Sequence, residues 1–168
     1  RSTFRFGMSN QSFAYGSVRY VGAEIRAVIL SKMQIDVQKN ICVISGESIA
    51  VEAANLAAEG TVIAVEYNKH DRKTLEDNVS QFGLNNVSIV DHVDEETFQN
   101  LPVPDVTMLV ASASMEQELD HMPTTENFQT VADIFKQLGD GSRVRIFWLL
   151  CHCEECVINI SSMVDMTS

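Results

Sequence analysis

Hydrophobic positions along the first two thirds of the chain alternate between two periods. Between residues 23 and 33, Ile25, Val28, Ile29 and Met33 fall on one helical stripe with Arg26 and Lys32 off it, which predicts an amphipathic helix. The apolar run Ile41-Cys42-Val43-Ile44, the pair Ser45-Gly46 and the segment SIAVEAANLA, which ends before Gly60, then read as strand, turn and helix. Residues 61–65, 87–90 and 106–110 are further β-branched runs, and residues 70–82 form a charged helix closed by Gly83. Strands that are apolar throughout and alternate with helices predict a parallel sheet covered on both faces.

The pattern changes after Ser114. Thr124 or Thr125 is placed to cap a helix running to about Leu138, and Gly139-Asp140-Gly141-Ser142 breaks it. A second helix from about Ser142 would carry Val144, Phe147, Trp148 and Leu150, and a third apolar stretch spans 157–164. The expected division is an α/β domain over 1–114 and a short all-α segment over 115–168, with Phe135, Phe147 and Trp148 as core or dimer contacts.

Composition narrows the function classes. At 168 residues and 18.7 kDa there is room for one ordinary domain, or a small one plus a fragment. A formal net charge of -11 opposes nucleic-acid binding through the whole molecule's field. Residues 1–40 nevertheless hold six basic side chains against two acidic ones, and so form a local positive patch. No apolar run reaches the roughly 18 to 20 residues of a membrane span, and RSTFRF lacks the apolar core of a secretory leader, so a cytoplasmic location is expected. A start at Arg1 and an end without a helix-stop signal read as a piece of a longer product.

In a doubly wound sheet the ligand crevice lies beside the first βα turn, which here is Ser45-Gly46-Glu47. An acidic residue about twenty positions on commonly accepts hydrogen bonds from a ribose, and Glu66 has that spacing. Residues 91–94 would flank a base. The alternative is that Glu66 and Asp91 are polar strand ends on a solvated rim. Cys151, Cys153 and Cys156 crowd around His152 and could hold zinc or a softer ion, or be small buried hydrophobes. Acid–base catalytic residues are left unassigned.

The runs GMSNQSF, EIRAVILSKM, VEAANLAAEGTVIAVEYN, NVSQFGLNNVSIV and LPVPDV resemble the decarboxylating precorrin methyltransferases of cobalamin biosynthesis, over about residues 4–112. The resemblance implies a partial class I methyltransferase (Rossmann-like) parallel sheet with helices on both faces, S-adenosylmethionine as cofactor and a tetrapyrrole substrate. By position, Ser45 and Gly46 fall in the loop beneath the cofactor's methionine part, Glu66 takes the ribose, and His92 and Val93 border adenine. Arg5, Arg19 and Arg26 are candidate partners for a carboxylate-rich substrate. The family's Asp-x-Gly-x-Gly-x-Gly loop reads Val43-Ile44-Ser45-Gly46-Glu47-Ser48 here, about two residues shorter, and its Thr-Lys ahead of the first helix is Val21-Gly22. Added β-carbons in that loop take space a ligand needs, so a degenerate site is expected. With about four strands found, the fourth is expected to be an apolar edge needing cover.

The segment ENFQTVADIFKQLGDGSRVRIFWLLCHCEECVINISSMVDMTS is similar to the N-terminal half of the ArsR family of metal-sensing repressors, over about residues 124–168. Cys156 matches the first cysteine of that family's Cys-Val-Cys motif, and Ile158 stands at the second. This resemblance implies dimerisation and no nucleic-acid partner, since the recognition helix would begin after Ser168. Two functions are therefore expected: a methyltransferase-like protein of corrinoid biosynthesis, or a non-catalytic homo-oligomeric module with a metal-sensing segment.

Overall fold

Runs of Val and Ile without polar alternation form strands buried on both faces, and β-strands of that kind, NICVI and TVIAV, lie at the centre of this molecule. The computed structural model describes residue 9 and residues 23–112, 144–152, 155–157 and 164–166. In chain order these are α1 (Ala23–Met33), β1 (Asn40–Ile44), α2 (Glu47–Leu56), β2 (Thr61–Val65), α3 (Lys69–Gln81), β3 (Val87–Val90), α4 (Glu95–Phe98), β4 (Val106–Ser112), β5 (Val144–His152), β6 (Glu155–Val157) and β7 (Val164–Met166). The sheet order is β3-β2-β1-β4-β5-β6, with β7 also on β5. β1 pairs in parallel with β2 on one side and β4 on the other, in registers Ile44↔Val65 and Ile44↔Leu109. β3 and β5 extend the parallel set, and β6 and β7 run antiparallel to β5.

The crossovers fix which face each connection covers. β1, β2 and β3 step in one direction, and the chain then returns past β1 to lay down β4. Right-handed crossovers therefore put α2 and α3 on one face and the β3–β4 connection on the other. On the first face Ile41, Val43, Val62, Ala64, Met108 and Val110 pack with Ile29, Met33, Ile49, Ala53 and Leu75 in one cluster. Cys42, Ile44, Ile63, Val65, Thr107 and Leu109 alternate with those strand residues and are buried on the second face.

Polar side chains close the helix ends. Asn68 caps α3 by accepting the Asp71 N–H at 3.1 Å, and Gly83 leaves the helix at φ 64°. Asn86 Nδ2 donates to the carbonyls of Ala54 at 3.0 Å and Ala57 at 2.8 Å, which satisfies the end of α2 from the far side of β2. A β-carbon on Gly60 would collide with the Lys39 carbonyl, so that tight approach of α2's exit to β1 requires glycine. No helix among the described residues is long and apolar enough to cross a membrane.

Three expectations are corrected. The helix placed from about Ser142 is a strand from Val144 to His152, hydrogen-bonded to β4 from Val106↔Arg145 to Ser112↔Cys151. A short apolar run carries no period that separates a buried strand from a buried helix, and VRIFWLLCH is rich in β-branched and aromatic residues. β4 is accordingly interior to the sheet and not an edge. On α1 the buried face holds Arg26, Ile29, Leu30 and Met33, while Val28 is 41% exposed, so Arg26 belongs to the stripe from which its charge had excluded it. The helix expected to end near Leu138 lies outside the described residues.

Candidate functional site

Where a sheet's connections reverse direction, the two strands flanking the reversal leave a crevice at their carboxyl ends. Here those strands are β1 and β4, and the turn after β1 is Ser45-Gly46. Gly46 sits between them, because a β-carbon on it would lie 2.6 Å from Val43 Cγ1 and 3.4 Å from Val110 Cγ2. Its φ of -118° is open to any residue, so glycine is needed there for the close packing of α2 on the strands. The left-handed position falls one residue earlier, at Ser45, with φ 58°. Ser45 N–H donates to the Val65 carbonyl at 2.8 Å, tying the turn to the end of β2. Its hydroxyl is buried and has no hydrogen-bond partner among the described residues.

Glu66 follows β2 directly and is buried. Its N–H donates to the Val90 carbonyl at 3.0 Å, and Arg72 Nη1 donates to the carbonyls of Glu66 at 2.9 Å and Tyr67 at 3.1 Å. Arg72 thus fixes the backbone that carries the carboxylate. The sequence reading passed over Arg72, although an arginine one turn into the helix after an acidic strand end is placed to reach that strand's last carbonyls. Burial, helped by the nearby Cys42 and Glu66, pushes the Tyr67 hydroxyl up to about 12. Burial also lifts the Cys42 thiol far above its ordinary 9.0, which keeps it an inert core residue.

At the end of β3, His92 lies between two carboxylates on the exposed rim, with Val93 half-buried beside it. Nδ1 is 2.5 Å from Asp91 Oδ1 and Nε2 is 2.6 Å from Asp94 Oδ2, with Thr97 Oγ1 3.2 Å from Nε2. Asp94 also accepts the Thr97 N–H at 2.6 Å and so starts α4. The hydrogen bonds to Asp91 and Asp94 raise His92 above its ordinary 6.5, while Asp91 is lowered by its bond to His92 and Asp94 by its bonds to Thr97. The Asp94-x-x-Thr97 spacing was the legible sign of this cap.

Arg26 does not face a substrate. It is wholly buried, its Nε lies 2.5 Å from Glu52 Oε1 across the α1–α2 contact, and its Nη1 donates to Ser48 Oγ at 3.3 Å. Glu52, the charged residue amid the apolar and alanine positions in the middle of α2, was the overlooked signal. Arg5 and Arg19 lie outside the described residues, as does Cys153. Cys151 and Cys156 are Cα partners across β5 and β6. The described residues bring Ser45, Gly46 and Glu66 to the carboxyl ends of adjacent strands, with His92 and Val93 at the end of the next strand out.

Solved structures share this architecture. Precorrin-6Y C5,15-methyltransferase from Geobacter metallireducens GS-15 matches with a TM-score of 0.62 and 24% identity, covering 84% of this chain and 71% of that one. The C-terminal domain of precorrin-6Y C5,15-methyltransferase from Rhodobacter capsulatus matches at 0.55 and 18% identity, over 95% of this chain and 93% of that one. Precorrin 8W decarboxylase from Methanobacterium thermoautotrophicum matches at 0.58 and 19% identity, over 83% and 70%. At these identities the likeness is one of fold. No curated protein sequence matches the chain. None of these comparisons supports the ArsR resemblance of the C-terminal segment, whose described part continues the sheet. Residues 19–132 match the family described as the precorrin methyltransferase domain, and the chain belongs to that family.

Proposed function

We propose that this chain binds S-adenosylmethionine in the crevice between β1 and β4 and methylates a tetrapyrrole intermediate of corrinoid biosynthesis. The observation that carries the reading is the pairing of the Ser45-Gly46 turn at the reversal point with a buried carboxylate, Glu66, at the end of the adjacent strand. The residues present fit the cofactor: Glu66 suits a ribose diol, His92 and Val93 form an edge for a base, and the Ser45-Gly46 turn lies at the end of the adjacent strand. When bound, S-adenosylmethionine supplies an activated methyl group, whose transfer to a ring carbon leaves the bonding pair on sulfur as a thioether.

The chain's own residues have little acid–base work in such a transfer, since alignment of the two partners dominates the barrier. Arg72 holds the Glu66 and Tyr67 carbonyls, and Ser45 N–H holds β2's last carbonyl, so the turn and the backbone that carries Glu66 are tied to the same strand end. A substrate rich in carboxylates suits the basic N-terminal segment, with Arg5 and Arg19 as its candidate partners.

Calorimetric titration with S-adenosylhomocysteine tests the reading. Wild-type protein should bind, and Glu66→Ala should weaken binding by about tenfold or more, the worth of a charged hydrogen bond. A flat titration by well-folded wild-type protein would leave only an inherited scaffold.

A further inference from the structure

The end of β5 and the start of β6 lie opposite each other in an antiparallel pairing, with His152 the Cα partner of Glu155 and Cys151 that of Cys156. In sequence only positions 153 and 154 stand between the two strands. A connection of two residues is closed by hydrogen bonds between the residues on either side of it, so His152↔Glu155 is the hydrogen-bonded pair. Pair types alternate along an antiparallel ladder, which makes Cys151↔Cys156 a non-hydrogen-bonded pair, the type whose Cα atoms stand about 4.5 Å apart. That separation falls within the roughly 4.4 to 6.8 Å that a disulfide spans.

The two strands are held unequally. β5 runs along β4 up to Ser112↔Cys151, whereas β6 has three residues and is last in the order β3-β2-β1-β4-β5-β6. A firmly paired strand therefore carries one cysteine and a short terminal strand carries the other, at directly opposed positions. We propose that Cys151 and Cys156 are a redox modification site, which exchanges with a low-molecular-weight disulfide such as oxidised glutathione to form a cross-strand disulfide joining β6 to β5. One thiolate attacks the glutathione disulfide, forming a mixed disulfide and releasing one glutathione. The second thiolate attacks the protein sulfur of that mixed disulfide, forming the Cys151–Cys156 bond and expelling the other glutathione. Two electrons and two protons thus pass from the protein pair to glutathione. Cys42 does not compete, because it is buried and its thiol is held far above its ordinary value. Cys153 is the competitor in sequence. The inference is independent of the cofactor reading.

The test equilibrates wild type and Cys153→Ser with mixtures of reduced and oxidised glutathione, both folded and in urea. Free thiols are then alkylated after unfolding, and the chain is cut at Glu154 and Glu155, which separates Cys156 from Cys151. Mass spectrometry of each folded protein should show two fewer alkylated thiols than its reduced form and a peptide pair linked through Cys151 and Cys156, and dithiothreitol should restore all four thiols of wild type. The folded chain should form that bond with an exchange constant about tenfold or more above that of the urea-unfolded chain, because the ladder already holds the two positions together. Folded wild type that keeps all four thiols overturns the proposal. So does a principal linkage through Cys153, or a Cys151–Cys156 bond that forms equally well in urea.

Discussion

Two of the short ionic contacts among the described residues look alike on paper, the Arg26 pair and the His92 cluster. Arg26 meets Glu52 at 2.5 Å, and His92 meets Asp91 at 2.5 Å and Asp94 at 2.6 Å. The first is sealed between α1 and α2 with both side chains wholly buried, while the His92 side chain is 51% exposed. Distance is therefore a poor guide to worth. Two charges taken out of water depend on one another, and removing either leaves the other stranded. Charges on the rim keep their hydration, so their pairing shapes the local backbone and titration far more than the global stability.

The largest expected effect is on the buried pair. Arg26→Ala should cost about 3–5 kcal/mol in urea unfolding, because the Glu52 carboxylate is left buried without this partner. The double variant Arg26→Met with Glu52→Leu should recover most of that loss. A double variant as unstable as the single one would assign the cost to lost packing and break the contrast. Ser48→Ala removes the 3.3 Å bond from Arg26 Nη1 and should cost about 0.5–1.5 kcal/mol by the same measurement.

The smallest effect belongs to the rim and appears only against pH. A raised imidazole contributes stability that is fully present below its unfolded value, near 6.5, and is lost as pH rises through the folded value. The lowered carboxylates contribute above their unfolded 3.8 and lose their part as pH falls through their folded values. The melting temperature of wild type minus that of His92→Gln should thus be largest between those two ordinary values and shrink on either side. A difference that stays the same from well below the first of those values to well above the second would remove His92's ionic role.

The parallel sheet was readable because its central strands are uninterrupted aliphatic runs, and α1 to α3 because their caps and glycines, Asn68 and Gly83 among them, sit where the helical period ends. β5 was misread since a short apolar run without polar alternation has no period to display. Arg26 was misassigned for another reason: a cation on a largely apolar helix reads as exposed until its partner, Glu52, 26 residues away, is brought beside it. The turn after β1 was placed correctly from the sequence, yet spacing alone could not tell that the strained position is Ser45 and that Gly46 instead yields room to Val43.

Among the described residues β3 ends the sheet on one side with four residues, Val87–Val90, bounded by Asn86 and Asp91. A ribbon that short offers an arriving chain few backbone partners, and the carboxylate at its end repels acidic neighbours. Fibrillar association by strand addition is thereby discouraged along that border, on a chain whose other central strands are aliphatic enough to aggregate if left uncovered.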